Sequence, residues 1–312
     1  MLLPPTIKPM LLTAVRQPFD NPEYVFQVKW DGIRLLSFVE QGEVRLQNRQ
    51  LRDRTGYYPE LLSLPELLHA DAVVLDGEVI VPGTNGPNFP AVLRREQVAS
   101  LQRALSLSRE IPVCYMVFDL LYESGQSLFK RTLTERQLRL QEVLRNGSGA
   151  IRVVENFPSG TALFSAVERA GLEGIVAKKK SSFYTPGTKS RTWQKIKVRR
   201  RQLCLVGGYL CSGKRLKSLL IGAWQDQRLV YLGHVGTGLT GEESELLIKT
   251  LPKLRAKNCP FDPCPRDPEA TWLHPVLPVA VEFSEWTDEL RLRAPSIIGF
   301  PKVAPEDCRL EG

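Results

Sequence analysis

The stretch Lys29-Trp30-Asp31-Gly32-Ile33-Arg34 decides the reading of this chain. It stands first in an ordered series: Asp76-Gly77-Glu78, Phe118-Asp119, Glu173-Gly174 and Trp193-x-Lys195-x-Lys197 follow it. A lysine, spaced carboxylates and a second lysine pair are the groups that nucleotidyl transfer through a lysine–nucleotide bond requires. Each piece alone has a plainer reading. Lys29 could be a solvated strand end, Asp31-Gly32 a turn, and Lys195 with Lys197 an exposed strand face. The order of the pieces, each on a strand or strand end, carries the assignment.

Periodicity places these residues. Tyr24, Phe26 and Val28 alternate with Gln27 and Lys29, so a half-buried strand points Phe26 and Val28 into a core and aims Gln27 and Lys29 into a cleft. Leu35 to Glu40 and Glu43 to Asn48 read as a hairpin turning at Gln41-Gly42. Residues 73–81 form a strand on which Asp76 and Glu78 share a face with Val74 and Ile80. Pro90 to Arg109 reads as one helix, with Val92, Leu93, Val98, Leu101 and Leu105 near helical spacing. The apolar run 113–121 fits a central strand. Thr134 opens a helix through a capping-box pattern, and residues 163–170 form another, ended by Gly171. Gly174 to Lys179 and Thr192 to Arg199 are strands. On the second, Trp193, Lys195 and Lys197 share a face opposite Ile196 and Val198.

The texture changes around Arg199-Arg200-Arg201. Short strands follow at 203–210, 219–224, 229–234 and 279–283, with one helix at Gly241 to Leu254. That mixture suggests a small β-barrel of oligonucleotide-binding type. The expected architecture is therefore α+β: a nucleotidyltransferase domain with antiparallel sheets over 1–200, then an OB-fold barrel over 201–312. A length of 312 residues agrees with two domains at roughly 150 residues each.

Composition narrows the class. Hydrophobic residues make up 43% and charged residues 24%, an ordinary globular balance. The net charge of +8 favours a polyanionic partner. Cys114, Cys204, Cys211, Cys259, Cys264 and Cys308 show no C-x-x-C spacing and read as reduced thiols. His69, His234 and His274 stand apart, which disfavours histidine-based metal or triad chemistry. Met1 to Val15 has no basic n-region and is not read as a signal peptide. No apolar run reaches the ~20 residues of a membrane span.

As a nucleophile Lys29 must shed a proton that a free lysine holds to a pKa of ~10.4. Cations nearby favour that loss, and Lys195, Lys197 and a bound divalent ion are the expected sources. Attack on a nucleotide α-phosphate then gives a lysine–AMP phosphoramidate and pyrophosphate. Cations around the phosphates and carboxylates for the metal complete the requirement.

With these motifs in order, the sequence resembles the ATP-dependent DNA ligases of the covalent nucleotidyltransferase superfamily. It is most like bacterial stand-alone ligases and the ligase domain of the bacterial end-joining ligase, from Pro9-Met10-Leu11 to about Gly299. The resemblance implies roles. Lys29 would be the adenylated lysine of motif I, and Arg34 would contact the nucleotide sugar and the nick. Gln27 would touch the adenine amino group, and Arg49 of Gln47-Asn48-Arg49 would bind the nick 5′-phosphate. Glu78 would bond ribose hydroxyls. Phe118 would stack on adenine opposite Val176. Glu173 would bind metal, with Asp31 as a second carboxylate. Lys195 and Lys197 would hold the α-phosphate. ATP and Mg2+ or Mn2+ are the implied cofactors.

The resemblance extends to the second domain through Gly236-Thr237-Gly238 and Val281-Glu282-Phe283-x-Glu285-Trp286-Thr287. Leu292-Arg293-Ala294-Pro295 matches the start of motif VI, and Arg293 would act on the nucleotide. The usual R-x-D-K continuation is replaced by Pro301-Lys302-Val303-Ala304, which leaves Arg293 and Lys302, so self-adenylation is expected to be slow or to need high ATP. The implied cycle moves AMP from Lys29 to the 5′-phosphate of a break, after which the 3′-hydroxyl displaces it, with the barrel swinging between steps. Duplex DNA is the implied partner, beside repair proteins. The basic runs Arg49 to Arg54, Lys178 to Lys180, Lys195 to Arg201 and Lys214 to Lys217 would meet its phosphates. A cytoplasmic, nucleoid-associated monomer away from the membrane follows. The rival within the superfamily is an RNA ligase or RNA-capping nucleotidyltransferase; Trp193-x-Lys195-x-Lys197 and Glu285-Trp286-Thr287 favour the DNA ligases. An NAD-dependent ligase would need a zinc module that is not seen. A non-catalytic relative would have lost Lys29 or Glu173, and both are present.

Overall fold

Gln41 and Gly42 close the first hairpin with φ of +54° and +82°. Positive φ at both central residues gives a two-residue turn whose twist matches its strands. Around this hairpin the computed structural model describes residues 3–84, 86–144, 149–213, 215–287 and 289–310. Met1 and Leu2 of the proline-rich start, and Lys214 of the fourth basic run, fall outside them. Two compact units divide the chain between Val198 and Arg199.

The first unit begins with β1 (Leu11–Ala14), β2 (Tyr24–Val28), β3 (Ile33–Glu40), β4 (Glu43–Asn48), α1 (Leu64–Leu67) and β5 (Ala72–Ile80). It continues with α2 (Phe89–Glu96), α3 (Leu101–Glu110), β6 (Cys114–Glu123), β7 (Gln126–Ser127) and α4 (Leu133–Val143). β8 (Ile151–Val153), α5 (Gly160–Arg169), β9 (Gly174–Lys179) and β10 (Lys189–Lys197) complete it. Among the described residues these strands make two sheets. One runs β1-β10-β9-β2; the other runs β4-β3-β5-β6-β7, with β8 paired to β6.

Side-chain alternation builds layers from these sheets. On β3, Leu35 and Val39 point into one core with Val73, Leu75, Val117 and Leu140. Leu36 and Phe38 point the other way, into a second core shared with Val74, Met10, Tyr184 and Trp193. That second core lies between the sheets. The far face of the smaller sheet buries Phe26, Ile175, Ala177 and Ile196 against Leu163 and Val167 of α5. Phe26 thus faces a core and Gln27 faces the inter-sheet space, as the period-2 pattern requires.

Three local expectations shift. The segment 90–109 is two helices, not one. Gln97 ends α2, and the extended Ser100 opens α3 by accepting a hydrogen bond from the Arg103 N–H. A capping hydroxyl restarts the helix, so Ala104 and Leu107 are buried while Leu101 and Leu105 face solvent. The cap of α4 is Thr132, not Thr134: Thr132 and Glu135 form the capping box. Thr134 instead donates to the Lys180 carbonyl oxygen. Cys259 and Cys264, expected as free thiols, are joined in a disulfide.

The second unit holds β11 (Arg200–Ser212), β12 (Arg215–Gln225), β13 (Arg228–Val235), α6 (Gly241–Thr250), β14 (Thr271–Phe283) and β15 (Ser296–Gly299). Its strands form an antiparallel sheet in the order β13-β12-β11-β14-β15. No pairing of β13 with β15 closes it into a barrel among the described residues, so the sheet is open at that edge. β15 is four residues long and escapes a periodicity reading. The expected helix 241–254 ends at Thr250 and tightens to a 3₁₀ turn over Leu251–Leu254, where Pro252 cannot supply an α-helical donor. Arg215 and Lys217 are exposed on β12.

Candidate functional site

Gln27, Lys29, Arg34, Glu78, Phe118 and Val176 all line one cavity of the first unit. Leu12, Val28, Trp30, Val154, Lys178 and Trp193 complete its walls. The two sheets supply opposite sides. β3, β5 and β6 contribute Arg34, Glu78 and Phe118, while β1, β2, β9 and β10 contribute Leu12, Gln27, Val176 and Trp193.

Lys29 follows the last residue of β2, and its backbone N–H donates to the Gly174 carbonyl at 2.9 Å. Its ammonium pairs with Glu173 Oε2. Lys197 takes the other oxygen of the same carboxylate at 2.6 Å. The motif glycines explain themselves sterically. A Cβ on Gly174 would lie 2.1 Å from the Ile196 carbonyl oxygen, and its φ is +149°. A Cβ on Gly32 would lie 2.2 Å from the Val79 carbonyl oxygen. Both glycines let backbone approach closely enough to set Lys29 and Glu173 side by side.

Lys195 lies next along this face. Partial burial, then Lys197 and Lys29, push its ammonium below the usual lysine range, while Glu173 pulls the other way. Exposed Arg49 adds to the same positive field. Asp31 is partly buried in the irregular segment between β2 and β3.

Arg34 is held from three sides. It clasps Asp76 through Nε at 2.9 Å and Nη2 at 2.6 Å. Nη1 donates to the Met10 carbonyl at 2.6 Å. Tyr184 donates to Asp76 at 2.8 Å and closes the cluster. Burial raises the Glu78 carboxyl to about 8, against the pull of Lys29 and Arg34. A neutral carboxyl there can donate as well as accept a hydrogen bond.

Lys178 was expected on a DNA-facing surface with Lys179 and Lys180. It is 2% exposed instead, and its ammonium lies 4.1 Å from the centroids of both Phe118 and Trp193. Val176 and Lys178 are two apart on β9, so the strand period already puts them on one face. The signal was in the sequence, masked by the three consecutive lysines. Asp119 departs from the site as well. It forms a fully buried, bidentate pair with Arg136 at 2.8 Å through each nitrogen. Arg293 belongs to the second unit, where it pairs with Glu285.

The comparisons agree with this geometry. The family model for the ATP dependent DNA ligase domain matches residues 9–197, and that for the ATP dependent DNA ligase C terminal region matches 212–302. The chain belongs to the ATP-dependent DNA ligase family. It is 36% identical over 295 residues to the multifunctional non-homologous end joining DNA repair protein LigD of Mycobacterium tuberculosis, covering 91% of this chain but 37% of LigD. DNA ligase C of the same organism is 31% identical, with 90% of this chain and 79% of that protein covered. The crystal structure of the M. tuberculosis LigD ligase domain matches with a TM-score of 0.57 at 33% identity, covering 98% of both chains.

The residues present fit the nucleotide that this ligase family uses. Lys178 Nζ and Trp30 Nε1 are buried donors with no hydrogen-bond partner among the described residues. Leaving a buried donor unpaired costs about 1–3 kcal/mol, so an acceptor-rich ligand gains by meeting them. No cluster of three or more His, Cys, Asp or Glu side chains forms among the described residues. Mg2+, general to this ligase family, is commonly held by one or two carboxylates together with phosphate oxygens. Glu173 and Asp31 would hold it, and it would offset phosphate charge. No helix among the described residues is long and apolar enough to cross a membrane.

Proposed function

We propose that this chain seals 3′-hydroxyl/5′-phosphate breaks in duplex DNA through a Lys29–AMP intermediate. The carrying observation is the position of Lys29: it lines the cavity walled by Phe118 and Val176 and shares the Glu173 carboxylate with Lys197. In the first step Lys29 Nζ gives up a proton and attacks the α-phosphorus of ATP. An N–P bond forms, the bond to the β-phosphate oxygen breaks, and pyrophosphate leaves. An oxygen of a DNA 5′-phosphate then attacks the adenylate phosphorus, the N–P bond breaks, and the Lys29 amine leaves. The 3′-hydroxyl then attacks that phosphate, and AMP departs.

The remaining roles belong to the same proposal. Adenine lies between Phe118 and Val176, with its amino group on Gln27. Glu78 meets the ribose. Lys195 and Lys197 receive the α-phosphate, Arg34 supports the sugar side of the cavity, and Arg49 takes the nick phosphate. Arg293 assists the nucleotide step. The domains of this reading, 1–200 and 201–312, meet within two residues of the division between Val198 and Arg199. The second is an OB-type barrel in this reading, supported by backbone hydrogen bonds from Ile297 to Thr237 and from Leu292 to Leu232, which span the open edge of its sheet. A net charge of +8 supports a DNA partner. The working form is a monomer in the cytoplasm, at the nucleoid, beside repair proteins.

Intact mass spectrometry tests the proposal. Protein freed of any prior adduct should gain one adenylate with ATP and Mg2+ and lose it on addition of a nicked duplex. Lys29→Ala should gain none while still binding DNA. Absence of the adduct in the unaltered protein overturns the reading.

A further inference from the structure

A chain of three amide side chains runs away from the cavity wall. Gln27 is 2% exposed, and its Nε2 donates to Asn156 Oδ1 at 2.8 Å. Asn156 Nδ2 donates to Gln137 Oε1 at 2.9 Å. Gln137 Nε2 returns to Asn156 Oδ1 at 3.4 Å. Two amide N–H groups therefore converge on one oxygen. Gln137 is 8% exposed on α4, and Asn156 follows β8, so both belong to elements distinct from β2.

The amide of Gln27 has two faces with opposite hydrogen-bonding sense. With Nε2 committed to Asn156, the carbonyl oxygen Oε1 is the end left for the cavity. A carbonyl accepts from the exocyclic 6-amino group of adenine and meets the 6-oxo group of guanine as acceptor against acceptor. Turned over, the same side chain would present N–H donors and suit the 6-oxo purine. A glutamate could not invert its sense in this way; a glutamine can, so something must hold it.

We infer that Asn156, backed by Gln137, is a positioning residue that sets the amide orientation of Gln27 and thereby the preference for a 6-amino over a 6-oxo purine nucleotide. The inference rests on the proposed adenylation of Lys29. It concerns residues that touch neither the lysine nor the phosphates.

Single-turnover formation of the Lys29 adduct in the full chain tests it, with ATP, GTP and purine riboside triphosphate, which bears no 6-substituent. Asn156→Ala releases Gln27 and should lower the ATP-over-GTP ratio of kcat/KM about tenfold, the weight of one hydrogen bond. The loss should fall on KM for ATP, and purine riboside triphosphate should react equally with both proteins. Asn156→Asp keeps an acceptor opposite Gln27 Nε2 and should keep the ATP preference. Gln137→Leu should relax it in the same direction as Asn156→Ala. An unchanged ATP-to-GTP ratio in Asn156→Ala overturns the inference while the adduct itself stands. Equal losses with all three nucleotides also overturn it, because that pattern marks a merely structural residue. Failure of the unaltered protein to form any adduct overturns the adenylation reading beneath it.

Discussion

The Lys178 ammonium stacks 4.1 Å from the centroid of the Phe118 ring, inside the cavity and with no hydrogen-bond partner for its nitrogen among the described residues. Burial lowers its pKa to about 7, although Asp119 and Asp76 act to raise it. An unfolded lysine holds its proton to ~10.4. Between these values the unfolded chain binds more protons than the native one, so stability rises with pH from about 7 towards 10. Below about 7 both forms are charged and the penalty is constant. Lys178→Met should remove that rise and stabilise the nucleotide-free protein at pH 6.5 by about 1–3 kcal/mol. Urea unfolding at several pH values checks both effects.

Alternation made the faces of most candidate site residues legible in the sequence. Gln27 opposite Phe26, Asp76 and Glu78 on one face, and Lys195 with Lys197 all follow from a period of two, because sheets impose it regardless of context. What stayed hidden depended on long-range contact. Nothing local says that Asp119 finds Arg136 seventeen residues away, and the strand period that puts Lys178 on the Val176 face was masked by the run of three lysines. The break at Ser100 was hidden for another reason: a capping hydroxyl overrides apolar spacing that would carry one helix through. That the sheet of the second unit stays open between β13 and the short β15 is likewise encoded in no side-chain pattern.

Glu78 titrates in the opposite sense to Lys178. Its carboxyl is raised to about 8 by burial, above the ~4.3 of an unfolded glutamate. The native state therefore binds more protons through this window, and stability falls as pH rises from about 4.5 to 8. Glu78→Gln should flatten that fall and stabilise the nucleotide-free protein by about 2 kcal/mol at pH 8. The same change should raise KM for ATP about tenfold, since the amide presents a different donor and acceptor pattern from the carboxyl at the proposed ribose contact. Calorimetry across pH, paired with adduct kinetics, separates the two effects.

Asp119 and Arg136 are both fully buried and bonded to each other twice. Removing one partner strands a charge in the interior, which costs about 3–5 kcal/mol. Asp119→Ala should therefore lower the denaturation midpoint sharply, and Arg136→Met alone should do the same. The double variant Asp119→Leu with Arg136→Met should recover much of the loss, because it leaves no orphaned charge. Equal destabilisation in single and double variants would show that packing, not charge pairing, dominates.

The second unit bears on the order of reaction rates. Arg293 stands at the start of the motif VI match, where it pairs with Glu285, while Pro301-Lys302-Val303-Ala304 takes the place of R-x-D-K. The missing groups are those expected to orient departing pyrophosphate. In the proposed cycle their loss would raise the barrier of the ATP step and leave untouched the steps that begin from adenylated DNA. Each 1.4 kcal/mol of lost transition-state stabilisation slows a step about tenfold. Self-adenylation should therefore lag behind sealing of a pre-adenylated nick by at least about tenfold in single-turnover measurements. Raising ATP should narrow the gap only where binding limits the step. Rapid adduct formation at low ATP, matching the sealing rate, would contradict this account of the altered motif.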